Sequence, residues 1–161
     1  MTLSSAIALA VSFIVAFAAA STGAAFRPGA WYAALRKPSW TPPNWAFPVV
    51  WSVLFTAMAV SAWLVWETAG AAALPALALY GAHLAVNAVW SVLFFGLKRL
   101  DWAMVEVICL WLMIAAVIAA FAPLSLTAAL LLAPYLLWVT IAATLNFALL
   151  RLNGARGPTL A

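Results

Sequence analysis

One stretch in the middle of the chain carries polar and aromatic side chains at helical spacing. Their order of i, i+4, i+7 and i+11 places them on one face of a helix. They are His83, Asn87, Trp90 and Phe94. Polar groups in a membrane segment face the bundle interior or a cavity, because exposing them to lipid is costly. An amide beside stacked rings can hold a planar ligand with one polar anchor.

Three further segments carry similar stripes. The stripes are Phe47, Trp51, Phe55 and Met58; Trp102, Glu106, Cys109 and Met113; and Tyr135, Trp138, Ala142 and Asn146. We predict that all four faces turn toward a common centre and form a pocket for a flat, largely apolar ligand. An alternative stays open, in which the tryptophans only pack or anchor helices and the asparagines bond across helices.

Metal and acid–base chemistry find little support in the sequence. His83 is the single histidine and Cys109 the single cysteine. We interpret His83 as a satisfied interior histidine, since no second histidine or cysteine is placed to complete a metal site. The chain also lacks a nucleophile paired with a base and a carboxylate dyad at interior depth. We therefore expect no metal, no required cofactor and no ordinary enzymatic turnover.

The composition predicts an integral membrane protein. Of the 161 residues, 70 % are hydrophobic and only 6 % are charged, far less charge than a soluble domain carries. The net charge of +4 comes from basic residues scattered over loops, so we expect the lipid bilayer as a partner and no nucleic acid.

Apolar runs of about 20 residues predict five membrane-spanning helices in a single all-α domain covering 1–161. The predicted helices span about 3–25, 47–66, 75–97, 102–121 and 126–150. The charge-free run 107–150 is too long for one crossing, and Pro123 is the expected break, because proline is unfavourable inside a helix.

The segment 27–46 is predicted to be an ordered loop that covers the pocket. Its prolines exclude a continuous helix. Its aromatic residues argue against disorder, because disordered segments are poor in them. Structureless loops of this length in a compact fold tend to be functional or disordered.

The basic residues predict the orientation. They are Arg27, Arg36, Lys37, Lys98, Arg99, Arg151 and Arg156. With five crossings, all seven fall on the side of the first loop, the third loop and the C-terminus. The positive-inside rule then places the first loop and the C-terminus in the cytoplasm and the N-terminus outside.

These motifs resemble the translocator protein family, also called tryptophan-rich sensory proteins, peripheral-type benzodiazepine receptors or the TspO/MBR family. The first-loop motif comprises Trp31-Tyr32, Lys37-Pro38-Ser39-Trp40, Pro42-Pro43, Trp45, Phe47-Pro48 and Trp51. The later motifs are Asn87, Trp90, Phe94-Phe95-Gly96, Trp102, Pro134-Tyr135, Trp138 and Thr144-Leu145-Asn146. The resemblance extends over nearly the whole chain.

The resemblance implies a five-helix, usually dimeric bundle whose pocket under the first loop binds porphyrins such as protoporphyrin IX and benzodiazepine-site drugs. By motif position, the pocket residues would be Trp31, Asn87, Trp90, Trp102, Trp138, Ala142 and Leu145. To these we add Trp51, His83 and Asn146 as expected ligand contacts. Trp51 and Trp138 match tryptophans that, in bacterial relatives, are linked to light-dependent porphyrin breakdown.

The leading interpretation is a porphyrin sensor or handler in a bacterial membrane. A transporter of porphyrins or sterols and a light-dependent porphyrin-degrading protein are the alternatives. The sequence shows neither the internal repeats nor the broken helices usual in transporters.

A cholesterol motif retains Leu145 and Arg151, but Phe147 stands at its tyrosine position, so we do not expect cholesterol as the physiological ligand. Small residues at Ala78, Ala82 and Ala85 predict the face of a homodimer.

Overall fold

The computed structural model describes residues 2–26 and 28–158. Over these residues the chain is helical and has no strand. The helices are α1 (Leu3–Ala25), α2 (Ala30–Ala34), α3 (Ala46–Ala69), α4 (Leu74–Ser91), α5 (Leu100–Phe121), α6 (Leu126–Leu131) and α7 (Ala133–Asn153). A 3-10 turn, Gly70–Ala73, joins α3 to α4, and a π-helical turn, Val92–Gly96, follows α4.

Several helical stretches are long and apolar enough to cross a membrane, which makes this a multi-pass membrane protein. In the described residues there are 4 of them: Leu3–Ala25, Ala46–Gly96, Leu100–Phe121 and Leu126–Asn153. The second stretch combines two helices that were predicted separately, because the 3-10 turn keeps the chain helical between them. The count of five crossings therefore stays a prediction.

The chain reverses direction within Ala46–Gly96. Trp51 lies with its ring centroid 6.0 Å from that of Tyr135, and the Asn87 side chain donates to the Tyr135 hydroxyl at 2.8 Å. Residues 51 and 87 of one straight helix would be roughly 54 Å apart at about 1.5 Å per residue. The reversal occurs near Gly70, whose φ of 54° suits a residue without a Cβ. The helices α3 and α4 therefore both lead to the same part of the bundle.

Helix ends lie where the sequence supplies caps and prolines. The Thr2 hydroxyl accepts a hydrogen bond from the Ser5 amide at 3.2 Å and caps α1. Helix α5 ends at Phe121, two residues before Pro123. The helix expected at 126–150 is divided at Leu132, since Pro134 has no amide hydrogen to continue the α6 ladder.

Helix α5 packs between α4 and α7. Its core side includes Ala103, Val107 and Leu110, which are at most 2 % exposed. Helix α1 lies at the periphery against α3 and α4. Its last turn is close to the π-helical turn, where a Cβ on Gly96 would lie 2.9 Å from the Phe26 ring. The buried apolar residues form two clusters. The larger one is shared by the long helices, and the smaller one joins the first loop to the π-helical turn, the start of α5 and the end of α7.

Candidate ligand-binding site

A large cavity of about 630 Å³ lies within the bundle and is walled by α1, α3, α4, α5 and α7. This volume is within the usual range of small-molecule sites. Many aromatic rings line its walls: Phe17, Phe26, Phe47, Trp51, Phe55, Trp90, Phe95 and Trp138. Such walls favour a ligand that stacks on rings rather than one that needs many hydrogen bonds.

Few polar side chains line the large cavity: Thr22, Asn44, Ser52, Asn87 and Ser91. The Thr22 hydroxyl donates to the Ala19 carbonyl at 3.0 Å. The Ser52 hydroxyl donates to the Pro48 carbonyl at 2.8 Å. These two hydroxyls are thereby committed as donors to their own helices, as is usual for serine and threonine in helices.

Behind the cavity wall, a hydrogen-bonded chain links α4 to α7. Asn87 Nδ2 donates to the Tyr135 hydroxyl oxygen at 2.8 Å. The same oxygen lies 3.3 Å from His83 Nε2, and His83 Nδ1 lies 2.8 Å from the Tyr80 carbonyl oxygen. His83 and Tyr135 are each 1 % exposed. These hydrogen bonds therefore connect the cavity-lining Asn87 amide to His83 and Tyr135, which do not line the cavity.

Five of the predicted ligand contacts line this cavity. They are Trp51, Asn87, Trp90, Trp138 and Ala142. The stripes predicted on 47–66 and 126–150 explain their convergence, because the Trp51 ring packs edge-on against Tyr135 and the Phe47 ring edge-on against Trp138. Their role in binding stays a prediction.

Leu145 and Asn146 lie beside the large cavity rather than on its wall. They line a second, small cavity of about 20 Å³ that shares Phe47, Trp90 and Trp138 with the large one. Asn146 Nδ2 donates to the Leu100 carbonyl at 3.1 Å, which ties α7 to the first turn of α5. These two residues are therefore one layer of side chains away from the main space.

His83 and Trp31, two other predicted contacts, lie outside both cavities. His83 is held behind the wall by the chain described above. Trp31 is 5 % exposed; its indole donates to the Arg156 carbonyl at 3.0 Å and packs edge-on against Phe94, 5.9 Å between centroids. Trp31 therefore lines neither cavity in this structure, because the C-terminal residues bind its polar edge, and its role in ligand binding stays a prediction.

Trp102 also lies outside both cavities. Its side chain is 50 % exposed, and the Arg99 guanidinium lies 4.1 Å from its ring centroid. Cys109 of the same predicted stripe is also exposed, whereas both carboxylate oxygens of Glu106 are buried without a hydrogen-bond partner, so the stripe lies only partly toward the core. The inner face instead carries Ala103 and Val107. Apart from Asp101 and Glu106, this helix carries apolar residues on every side, so hydrophobicity could not identify the buried side.

Some cavity residues were not predicted. Phe17 and Gly23 of α1 line the large cavity, although α1 offers no polar or aromatic stripe that would single them out. Ser91 and Phe95 also line it. Ser91 follows Asn87 by four residues and Phe95 follows Ser91 by four, so a wider predicted face on α4, rather than a longer one, would have included them.

The first loop is tied down by the C-terminal end of the chain. The Asn153 amide receives a hydrogen bond from the Arg36 backbone N–H at 2.8 Å and donates to the Arg36 carbonyl at 2.9 Å. The Ala155 carbonyl accepts from the Leu100 N–H at 2.8 Å. We call residues 153–157 the C-terminal strap. It joins the first loop, α5 and α7 at one end of the bundle.

The first loop contributes only a few groups to the cavities. Pro28 and Asn44 line the large cavity, and Tyr32 and Pro42 line the small one. Tyr32 is 3 % exposed, and burial raises the pKa of its hydroxyl. Trp40 and Trp45 are exposed. Arg27, at the start of the predicted loop, lies outside the described residues, and the role of the loop as a cap stays a prediction.

Comparison with known proteins places this arrangement in a family. The sequence model of the TspO/MBR family matches residues 6–152. Protein CrtK of Rhodobacter capsulatus is 44 % identical, over 92 % of this chain and 94 % of the relative. The tryptophan-rich sensory protein of Cereibacter sphaeroides is 43 % identical over the same shares. The translocator protein of Homo sapiens is 41 % identical, over 79 % of this chain and 78 % of the relative.

Proposed function

This chain belongs to the TspO/MBR family, and we propose that it binds a tetrapyrrole in the large cavity and acts as a porphyrin sensor or handler. Protoporphyrin IX is the representative ligand, and drugs of the benzodiazepine site are expected to compete for the same space. The observation that carries this proposal is the cavity of about 630 Å³ with many aromatic rings in its walls.

The chemistry of the walls matches a planar, largely apolar guest. Trp51, Trp90 and Trp138 come from three different helices and reach the same space. Each ring can stack on a flat ligand, and each such contact contributes about 0.5–1.5 kcal/mol beyond area burial. Asn87 supplies a polar anchor among these rings. Orientation would then depend on few hydrogen bonds and affinity mainly on stacking.

The proposed arrangement in the membrane has five crossings. Ala46–Gly96 would cross twice, since its 51 residues would reach roughly 75 Å if straight, about two and a half times the thickness of the bilayer core. The first loop and the C-terminus would face the cytoplasm. The support is that the described basic residues of the first loop, the α4–α5 connection and the C-terminal end all lie at one end of the bundle.

The proposed assembly is a homodimer through α4. Ala78, Ala82 and Ala85 are exposed on the outside of this helix, and Val89 extends the same face with 44 % exposure. Small side chains let two helices approach closely in lipid. This face points away from the cavity-lining Asn87, so the dimer would leave the proposed binding site intact.

Titration with protoporphyrin IX tests the proposed function. We expect Trp138→Ala to weaken binding at least about five-fold, because one stacking contact of roughly 1 kcal/mol is lost. The dissociation constant would be measured by quenching of the remaining tryptophan fluorescence in detergent micelles.

Trp45→Ala is the matched control. Trp45 is 69 % exposed, lies outside both cavities and makes no side-chain capping bond to α3. Its replacement should leave the dissociation constant within about two-fold of the parent. Equal weakening in both variants would indicate porphyrin adsorbed on surface rings and would refute binding in the cavity.

A further inference from the structure

The hydrogen-bonded chain behind the cavity has a fixed direction, which begins at a backbone carbonyl. The Tyr80 carbonyl oxygen can only accept, and it lies 2.8 Å from His83 Nδ1. His83 Nδ1 must therefore carry the proton. Among the described residues the only ion pair joins Arg99 and Asp101, and the buried Glu106 carboxylate makes no hydrogen bond, so no carboxylate is paired with His83. A buried imidazole without such a partner is neutral, because an uncompensated buried charge is very costly.

The direction then follows from one group to the next. A neutral imidazole protonated at Nδ1 has an acceptor at Nε2. The Tyr135 hydroxyl, 3.3 Å away, is the donor that satisfies it. With its hydrogen used, the Tyr135 oxygen accepts from Asn87, and only the NH₂ group of that amide can donate. The orientation of the Asn87 amide is thus determined by chemistry.

The opposite end of the Asn87 amide is left for the cavity. Asn87 is 7 % exposed and lines the large cavity. Within the described part of the chain its Oδ1 makes no hydrogen bond, and it is not among the unpartnered polar atoms that are sealed from solvent. The exposed edge of this amide is therefore a carbonyl acceptor.

We propose that His83 and Tyr135 are positioning residues that hold the Asn87 carbonyl toward the ligand, so that the cavity prefers planar ligands carrying an N–H or O–H donor. This inference rests on the proposed function, since it concerns ligands of the same cavity. A ligand that presents only an acceptor there would face the Asn87 oxygen without a hydrogen. Rotating the amide to help such a ligand would break the chain to Tyr135 and leave a buried group unpaired.

Three planar tricyclic probes of similar size test this preference. Carbazole offers an N–H donor, 9-fluorenone offers a carbonyl acceptor, and fluorene offers neither. In the parent protein in detergent micelles, calorimetry should show carbazole binding about five-fold or more tightly than 9-fluorenone, the effect of roughly one hydrogen bond. Fluorene reports the apolar contribution that all three probes share.

Two variants remove the hydrogen bonds that orient the Asn87 amide without changing a residue of the cavity wall. Tyr135→Phe keeps the ring that packs against Trp51 and His83 but removes the hydroxyl. His83→Leu leaves the Tyr135 hydroxyl free to donate to Asn87. In both variants the dissociation constants of carbazole and 9-fluorenone should differ by no more than about two-fold, while the affinity for fluorene stays near that of the parent protein.

The outcomes separate this inference from the proposed function. If all three probes bind the parent equally, or if the ratio persists in both variants with fluorene affinity unchanged, the positioning role is refuted and the cavity remains a binding site. If none of the three probes binds the parent protein although protoporphyrin IX does, this inference fails and the proposed function stands. If protoporphyrin IX does not bind either, both fail. A collapse of the ratio in both variants supports the inference.

Discussion

Tryptophans of the same sequence motifs have different surroundings in this protein. Trp138 lines the large cavity. Trp31 is buried and hydrogen-bonded to the Arg156 carbonyl. Trp102 is half exposed under the Arg99 guanidinium. Only the first of these environments suits a ligand contact, so replacing each indole should have a different consequence.

Trp31→Phe should lower stability without changing ligand affinity. The phenyl ring can still pack against Phe94, but the hydrogen bond to the Arg156 carbonyl is lost. We expect a loss of about 1 kcal/mol, which lowers the thermal midpoint by roughly 2–4 °C for a chain of this size. Thermal unfolding in detergent and titration with protoporphyrin IX measure the two quantities.

Trp138→Phe is the comparison for this prediction, because it shortens a ring on the cavity wall. It should weaken porphyrin binding more than Trp31→Phe does. A dissociation constant that rises equally in both variants would place Trp31 among the ligand contacts, as the family resemblance implies, and would contradict the assignment made from the structure.

The position of Trp31 shows what a sequence can and cannot reveal at this scale. Its hydrogen-bond partner lies 125 residues later in the chain, in a C-terminal segment with no recognisable pattern. By contrast, Asn87 and Trp90 lie on one face of one helix, and their shared direction follows from the helical repeat alone. Local spacing therefore predicted part of the site, whereas a contact between distant segments required the fold.

At the level of elements, the C-terminal strap is the connection that holds the first loop. Asn153 bonds both backbone groups of Arg36, and Gly157 adopts a φ of 68° where a Cβ would lie 2.6 Å from Leu35. The strap thus fits closely against the loop. Weakening it should release the loop before it affects the helices.

Asn153→Ala should make the first loop accessible to trypsin. In the sequence, Arg27 and Lys37 both precede proline, so the Arg36–Lys37 bond is the one readily cleaved by trypsin in this loop. The carbonyl of that bond accepts from Asn153 Nδ2 in the native fold. Losing two hydrogen bonds of about 1 kcal/mol each should raise the cleavage rate on the order of ten-fold or more.

Leu152→Ala is the matched control, since Leu152 is 40 % exposed on the preceding position of α7. In this variant, trypsin should cleave the Arg36–Lys37 bond at a rate close to that of the parent protein, as measured by mass spectrometry of the fragments. If Asn153→Ala is cleaved no faster than Leu152→Ala, the strap does not restrain the loop.

Element positions were more predictable than element orientations. The limits of α1 and the break near Pro123 followed from charge-free runs and proline chemistry. The buried side of α5 did not, because Val105, Ile108 and Leu112 are exposed yet as apolar as the buried Val107 and Leu110. In a lipid environment both sides of a helix carry apolar residues, so only packing decides which side is inside.

At the scale of the whole molecule, the positive charges lie at one end of the bundle. Arg36, Lys37, Lys98 and Arg99 belong to connections that the C-terminal strap joins, and Arg151 lies in the last turn of α7. Arg27 shares this side in the sequence-based count but lies outside the described residues. This asymmetry is the basis for predicting which end faces the cytoplasm.

Cysteine labelling tests the number of crossings and the orientation together. Cys109 is exposed on α5, so the background is Cys109→Ser. Single cysteines at Lys37→Cys and Lys98→Cys flank Ala46–Gly96. If this stretch crosses twice, a membrane-impermeant maleimide should label both cysteines from the same side of the membrane. Because that side is predicted to be cytoplasmic, both cysteines should stay unlabelled in intact cells and react once the cells are permeabilised. Ala71→Cys, in the turn between α3 and α4, is the opposite control and should react in intact cells.

Labelling of positions 37 and 98 from opposite sides would mean a single crossing. Labelling of both in intact cells would keep the two crossings and reverse the orientation.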